Sequence, residues 1–144
     1  MIIVDANLLL YASDTSSTHH LASRRWLENT LSGNEPVGVA WAAVLAFLRV
    51  GTNPQIRKNA FTLEEAVAIV AGWLERPNVI LLNPGERHWG ILREMMTEGQ
   101  ARGTLVTDAH LAALAIEHGA ALATTDRDFA RFPGLNFFNP LDTP

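Results

Sequence analysis

Four short apolar segments, Ile2-Ile3-Val4, Val37–Ala40, Val79–Leu82 and Ala121–Thr125, recur along the chain with helical stretches between them. Runs that are apolar on both faces suit buried parallel strands better than exposed ones. Strands alternating with helices build an α/β domain around a mostly parallel sheet of four to five strands with right-handed crossovers. Phe137-Phe138 fits a last, short edge strand. The intervening stretches carry helix signals. Helix is expected soon after Asp5, through Leu8–Tyr11, and again over Thr18–Leu31, where Leu21, Trp26, Leu27 and Leu31 form an apolar stripe. Trp41–Val50 is apolar nearly all round, the pattern of a buried helix, and Gly51–Pro54 stops it. Thr62 and Glu65 have capping-box spacing and open a helix to about Glu75. Pro84 marks the next helix start, with Trp89, Leu92, Met95 and Met96 on one stripe, and a last helix runs from Asp108 to His118, stopped by Gly119.

The length of 144 residues suits one domain, because two would each bury too little surface, so a single unit over residues 1–144 is expected. Hydrophobic residues at 48% against 18% charged exclude general disorder. The absence of cysteine excludes disulfides, thiolate metal sites and cysteine nucleophiles. A net charge of −4 argues against a protein that passively coats nucleic acid. It does not exclude a nuclease, whose carboxylates stay acidic until metal binds. There is no membrane-length apolar run and no basic stretch ahead of the N-terminal apolar residues, so a soluble, cytoplasmic protein is expected.

In open parallel sheets, ligands gather beyond the carboxyl ends of the strands. Asp5 and Asp126 follow strands there, Asp108 opens a helix, and Asp128 lies two residues past Asp126. Taken singly, these residues have plainer explanations: an aspartate at a helix start is ordinarily a cap, and one after a strand is ordinarily turn chemistry. Asp5 is the exception, since it interrupts an apolar run where a hydrophobic residue would stabilise more. Four converging carboxylates repel unless a cation joins them, and Mg²⁺ or Mn²⁺ prefers such oxygen ligands. The reaction that such a cluster serves is phosphodiester hydrolysis, with one ion or with two roughly 3.5–4 Å apart. Asn7 would cap the following helix or orient Asp5, and Thr125 is either a strand residue or a donor to an aspartate.

Arg24, Arg25, Arg49, Arg57, Lys58, Arg127 and Arg131 are candidates to steer phosphate, with Arg49 and Arg127 favoured because they lie in or near the motif segments quoted below. His110 is two residues past Asp108 on a helix and so points elsewhere. Neither a Walker-type phosphate loop nor a dinucleotide fingerprint is present.

Met1-Ile2-Ile3-Val4-Asp5-Ala6-Asn7, Thr107-Asp108-Ala109-His110-Leu111-Ala112-Ala113-Leu114-Ala115 and Thr124-Thr125-Asp126-Arg127-Asp128-Phe129 resemble the three motif blocks of PIN-domain ribonucleases, and most closely those of VapC-type toxins of bacterial toxin–antitoxin systems. Phe47-Leu48-Arg49-Val50 and Thr52-Asn53-Pro54 resemble the segment between them. The resemblance implies a PIN-like fold and metal-dependent endonucleolytic cleavage of RNA. It makes Asp5 and Asp108 the principal Mg²⁺ ligands, Asp126 a further acid acting through water or on a second ion, and Asp128 their neighbour. It also implies a small cognate antitoxin and a homodimer. One position departs from the pattern: Ala46 stands where the family usually carries a metal-binding Glu. The alternative reading is therefore a weakened module that binds RNA or a protein without cleaving.

Overall fold

A computed structural model describes residues 1–142, so the end of the unit expected over 1–144 lies outside the described residues. The element order is β1 (Ile2–Val4), α1 (Ala6–Ser13), α2 (His20–Leu31), β2 (Val37–Ala40), α3 (Trp41–Gly51), α4 (Leu63–Leu74), β3 (Val79–Leu82), α5 (His88–Glu98), α6 (Leu105–Glu117), β4 (Ala121–Ala123), a 3-10 helix (Arg127–Arg131) and β5 (Phe137–Phe138). The five strands form one sheet in the order β3-β2-β1-β4-β5, and every neighbouring pair is parallel. This is the expected α/β architecture. Among the described residues, no helix is long and apolar enough to cross a membrane.

β1 is the central strand, and Ile3 and Val4 are buried with Val37, Val39, Leu122 and Ala123 of its neighbours. Gly38 has a steric reason to be glycine. A Cβ there would lie 2.5 Å from Leu82 Cδ1 and 3.0 Å from Ile3 Cγ1, inside the packing of both flanking strands. α6 buries an almost continuous run, Leu111 to Ala115, in the core. It ends as expected: His118 is its C-cap and Gly119 adopts the left-handed φ of 63° that follows many helices.

Several local expectations are corrected. α2 starts at His20, and Leu21 of the expected stripe is 74% exposed; the buried face is His20, Ser23, Leu27 and Leu31. α3 is not buried all round, since Trp41 and Leu45 stand open to solvent. α5 starts at His88, not at Pro84, because the Glu117 carboxylate takes up the Gly85 and Arg87 N–H groups at 2.8 and 3.1 Å and holds the approach segment outside the helix. α6 starts at Leu105, so Asp108 lies within its first turn and does not open it. β4 ends at Ala123, leaving Thr124 and Thr125 between the strand and Asp126.

Candidate metal and catalytic site

The sheet order reverses at β1. Connections run from β1 to β2 and β3 on one side, and β4 and β5 lie on the other. The carboxyl ends of β1 and β4 flank that switch point, where a crevice opens in folds of this kind. Asp5 follows β1 directly and its backbone N–H donates to Ala123 O at 3.0 Å, which pins it to the end of β4. α6 brings Asp108 to the same place. Asp5, Asn7, Thr107, Asp108 and Asp126 line one cavity of about 160 Å³, and Ala42, Ala43 and Ala46 of α3 form an apolar wall to it. Asp5 therefore shares one pocket with two acids that lie more than a hundred residues further along the sequence.

A hydrogen-bonded chain holds the acids together. The buried Thr124 hydroxyl donates to Asp5 Oδ2 at 2.7 Å, and Thr124 Oγ1 accepts the Asp126 backbone N–H at 3.0 Å. Asp126 Oδ1 in turn accepts the Asp128 N–H at 2.8 Å, which caps the 3-10 helix. Val4 pairs with Ala123, so continuing that parallel register sets Thr124 beside Asp5. Thr124, not Thr125, is thus the donor to an aspartate. The strand register carries that information, and composition at the two neighbouring threonines does not.

The electrostatics are those of crowded anions. Burial raises the Asp5 pKa, and Asp126 adds to the rise, while the Thr124 hydrogen bond and the backbone at the start of α1 oppose it. Asp108 is pushed up to about 6, first by burial and then by the charges of Asp5, Asp126 and Asp128, with Arg131 acting against them. Asp128 itself is exposed and stands outside the cavity lining. Asn7 lines the cavity but is exposed and makes no side-chain hydrogen bond to Asp5 among the described residues. Arg49 and Arg127 are exposed and line no part of the cavity. His110 turns away, as its helix position predicts, and its Nδ1 meets His88 Nε2 at 2.9 Å.

Among the described residues, no group of three His, Asp or Glu side chains is arranged to hold an ion unaided. This donor set suits an ion that completes its shell with water. Mg²⁺ binds through one or two carboxylates and keeps several waters, whereas a structural zinc site needs four protein ligands. A hard divalent cation also offsets the repulsion that lifts Asp108, so the residues present fit Mg²⁺ or Mn²⁺.

Comparison with known proteins agrees with this geometry. The PIN domain family model matches residues 2–135. The chain is 47% identical over 140 residues to Ribonuclease VapC37 of Mycobacterium tuberculosis, covering 97% of each. It is 38% identical over 141 residues to Ribonuclease VapC33 of the same species, covering 98% of this chain and 99% of that one. In fold it is similar to the VapBC2 structure from Rickettsia felis bound to a promoter DNA fragment, with a TM-score of 0.70, 22% identity and coverage of 96% and 98%. It is similar also to Mycobacterium tuberculosis VapC20, described as a sarcin-ricin loop cleaving toxin, with a TM-score of 0.69, 17% identity and coverage of 94% and 99%.

Proposed function

The chain belongs to the PIN-domain family and, within it, to the VapC ribonucleases; from that premise we propose that it is the endoribonuclease toxin of a toxin–antitoxin pair and that it cleaves RNA with Mg²⁺ held at Asp5, Asp108 and Asp126. Mn²⁺ serves the same ligands. The observation that carries the reading is the meeting of these three acids in one cavity, with the Asp108 pKa lifted to about 6 by burial and by its acidic neighbours. When bound, the metal supplies an activated water and neutralises charge on the phosphate.

The chain's own residues do the rest. The Thr124 hydroxyl donates to Asp5 Oδ2 and so orients the Asp5 carboxylate at the cavity. Asp126 is fixed by its backbone to the same hydroxyl, so the two acids are positioned as a unit. The alanine wall of α3 presents no competing ligand, Ala46 included. Asp128 adds negative charge at the mouth.

A protein partner is supported by the uncovered apolar face of α3 and α4. Trp41, Leu45, Val67 and Leu74 are exposed there, and faces of this kind mark interaction sites. We assign it to the cognate antitoxin or to a second toxin copy in a homodimer, in the cytoplasm where RNA is met.

The test is cleavage of a structured RNA by the purified protein with and without Mg²⁺ or Mn²⁺. We expect internal cuts that need the metal and disappear in Asp5→Asn and Asp108→Asn. A wild-type protein that binds RNA but never cleaves it under any divalent ion sinks the proposal.

A further inference from the structure

Ionised carboxylates accept hydrogen bonds and donate none, and the oxygens of a phosphodiester are acceptors too. Asp5, Asp108 and Asp126 therefore offer a phosphate no hydrogen bond of their own. The rest of the cavity lining is alanine and Leu111, with two exceptions. Among the described residues, Asn7 and Thr107 alone bring side-chain donors to it.

The Thr107 hydroxyl has no partner within the fold. A threonine inside a helix commonly turns its hydroxyl back onto the carbonyl four residues earlier. Thr30 in α2 and Thr97 in α5 do so, donating to Trp26 O and Arg93 O at 2.8 Å each. Thr107 lies in the first turn of α6, and four residues back stands Gly103, outside the helix with a left-handed φ of 62°. The Gly103 carbonyl is taken instead by the Val106 N–H at 3.1 Å. Nor is Thr107 a cap, since the N-cap of α6 is Thr104. Among the described residues, the threonine hydroxyls that hydrogen-bond are those of Thr30, Thr52, Thr62, Thr97 and Thr124, and Thr107 is not one of them. Depth adds direction. Asp5 is buried, Asp108 half-buried and Thr107 exposed, so the free hydroxyl stands at the mouth of the cavity with the acids deeper inside.

We propose that the Thr107 hydroxyl donates a hydrogen bond to a non-bridging oxygen of the RNA phosphate entering the Asp5–Asp108–Asp126 cavity. The inference rests on the ribonuclease reading above and names a substrate-contact residue for it. The plainer role for Thr107 is that of a helix surface residue whose hydroxyl meets only water. A second competitor is a contact to the ribose 2′-hydroxyl, which both donates and accepts.

The experiment follows single-turnover cleavage of a short RNA in Mg²⁺ by wild type, Thr107→Val, Thr107→Ala, Thr107→Ser and Thr104→Val. Melting temperature and Mn²⁺ binding, read by electron paramagnetic resonance, are recorded for each protein. Thr107→Val keeps the shape and loses the donor, and Thr107→Ala loses it with a better helix former. A hydrogen bond to an ionised group carries enough free energy that both should cleave about 10–100-fold more slowly at low RNA concentration. Melting temperature and Mn²⁺ binding should stay as in wild type. Thr107→Ser should retain most of the rate, and Thr104→Val, outside the cavity lining, should match wild type. The same loss should appear on an RNA with a single 2′-deoxy nucleotide at the cleaved position. Folded Thr107→Val and Thr107→Ala proteins that cleave like wild type overturn the inference. So does a loss that Thr107→Ser shares in full, a loss accompanied by weaker Mn²⁺ binding, or one that vanishes on the 2′-deoxy substrate. A wild type that never cleaves removes the ribonuclease reading itself, and the contact with it.

Discussion

Asp108 is maintained at a cost. With its folded pKa at about 6 against an ordinary 3.8, the native state binds a proton more readily than the unfolded chain across that interval. The sign is therefore fixed. Stability from this group falls as pH rises from about 4 to 6, and the penalty is fully present at pH 7. Metal-free Asp108→Asn should accordingly melt higher than wild type at pH 7, by about 1 kcal/mol once solvent screening of this half-exposed carboxyl is allowed for, and the gap should close towards pH 4. Calorimetry of both proteins in EDTA checks it. Thr124 makes the second prediction at this scale. Thr124→Val removes the donor to Asp5 while keeping the shape, and cleavage should fall about 10–100-fold, whereas Thr124→Ser should retain most of it. Single-turnover rates decide. Asp5, Asp108 and Asp126 were legible in the sequence because each lies at the edge of an apolar segment, whereas Asp128, read together with them, stands outside the cavity lining. The choice of Thr124 over Thr125 was not, since it depends on a strand register set by residues 119 positions apart.

At the scale of elements, α5 illustrates how a helix boundary is decided elsewhere. Pro84 is a sound start signal by itself, but Glu117 reaches across from α6 and satisfies the N–H groups of Gly85 and Arg87. Burial pushes the Glu117 carboxyl up, and those N–H groups, with His88 and His118 beside it, more than reverse this and hold it below the usual range. Its contribution is thus present above about pH 4.5 and lost as pH falls through the lowered value. Glu117→Ala should cost about 1 kcal/mol in urea unfolding at pH 7, in line with loss of a helix cap, without changing RNA binding. α4 shows the opposite case. Thr62 and Glu65 exchange both capping-box hydrogen bonds, as their spacing alone predicts, because that motif is local. For α3, periodicity marks an apolar surface but does not say whether another element covers it.

Across the whole molecule, alternation of strand and helix is enough to read the parallel sheet, and the rule that ligands sit beyond the strand ends is enough to gather the acids. What alternation leaves open is the order β3-β2-β1-β4-β5, which follows from how the complete set of apolar faces packs. That order makes the cavity a property of the folded whole, so a ligand bound there should stabilise the whole. Mg²⁺ at tenfold above its dissociation constant should add about 1.4 kcal/mol to unfolding, seen as a rise of several degrees in melting temperature. The same addition should leave Asp108→Asn nearly unmoved, and thermal scans of the two proteins with and without Mg²⁺ make the comparison.

The central position of β1 also governs when the nuclease comes into being on the ribosome. Its neighbour β4 is made of Ala121–Ala123, so Asp5 leaves the exit tunnel early and waits for nearly the entire polypeptide before Thr124 and Asp126 can join it. Any fragment released before that point lacks the partner strand and with it the cutting centre. The acidic cavity is therefore completed only in the last stage of translation.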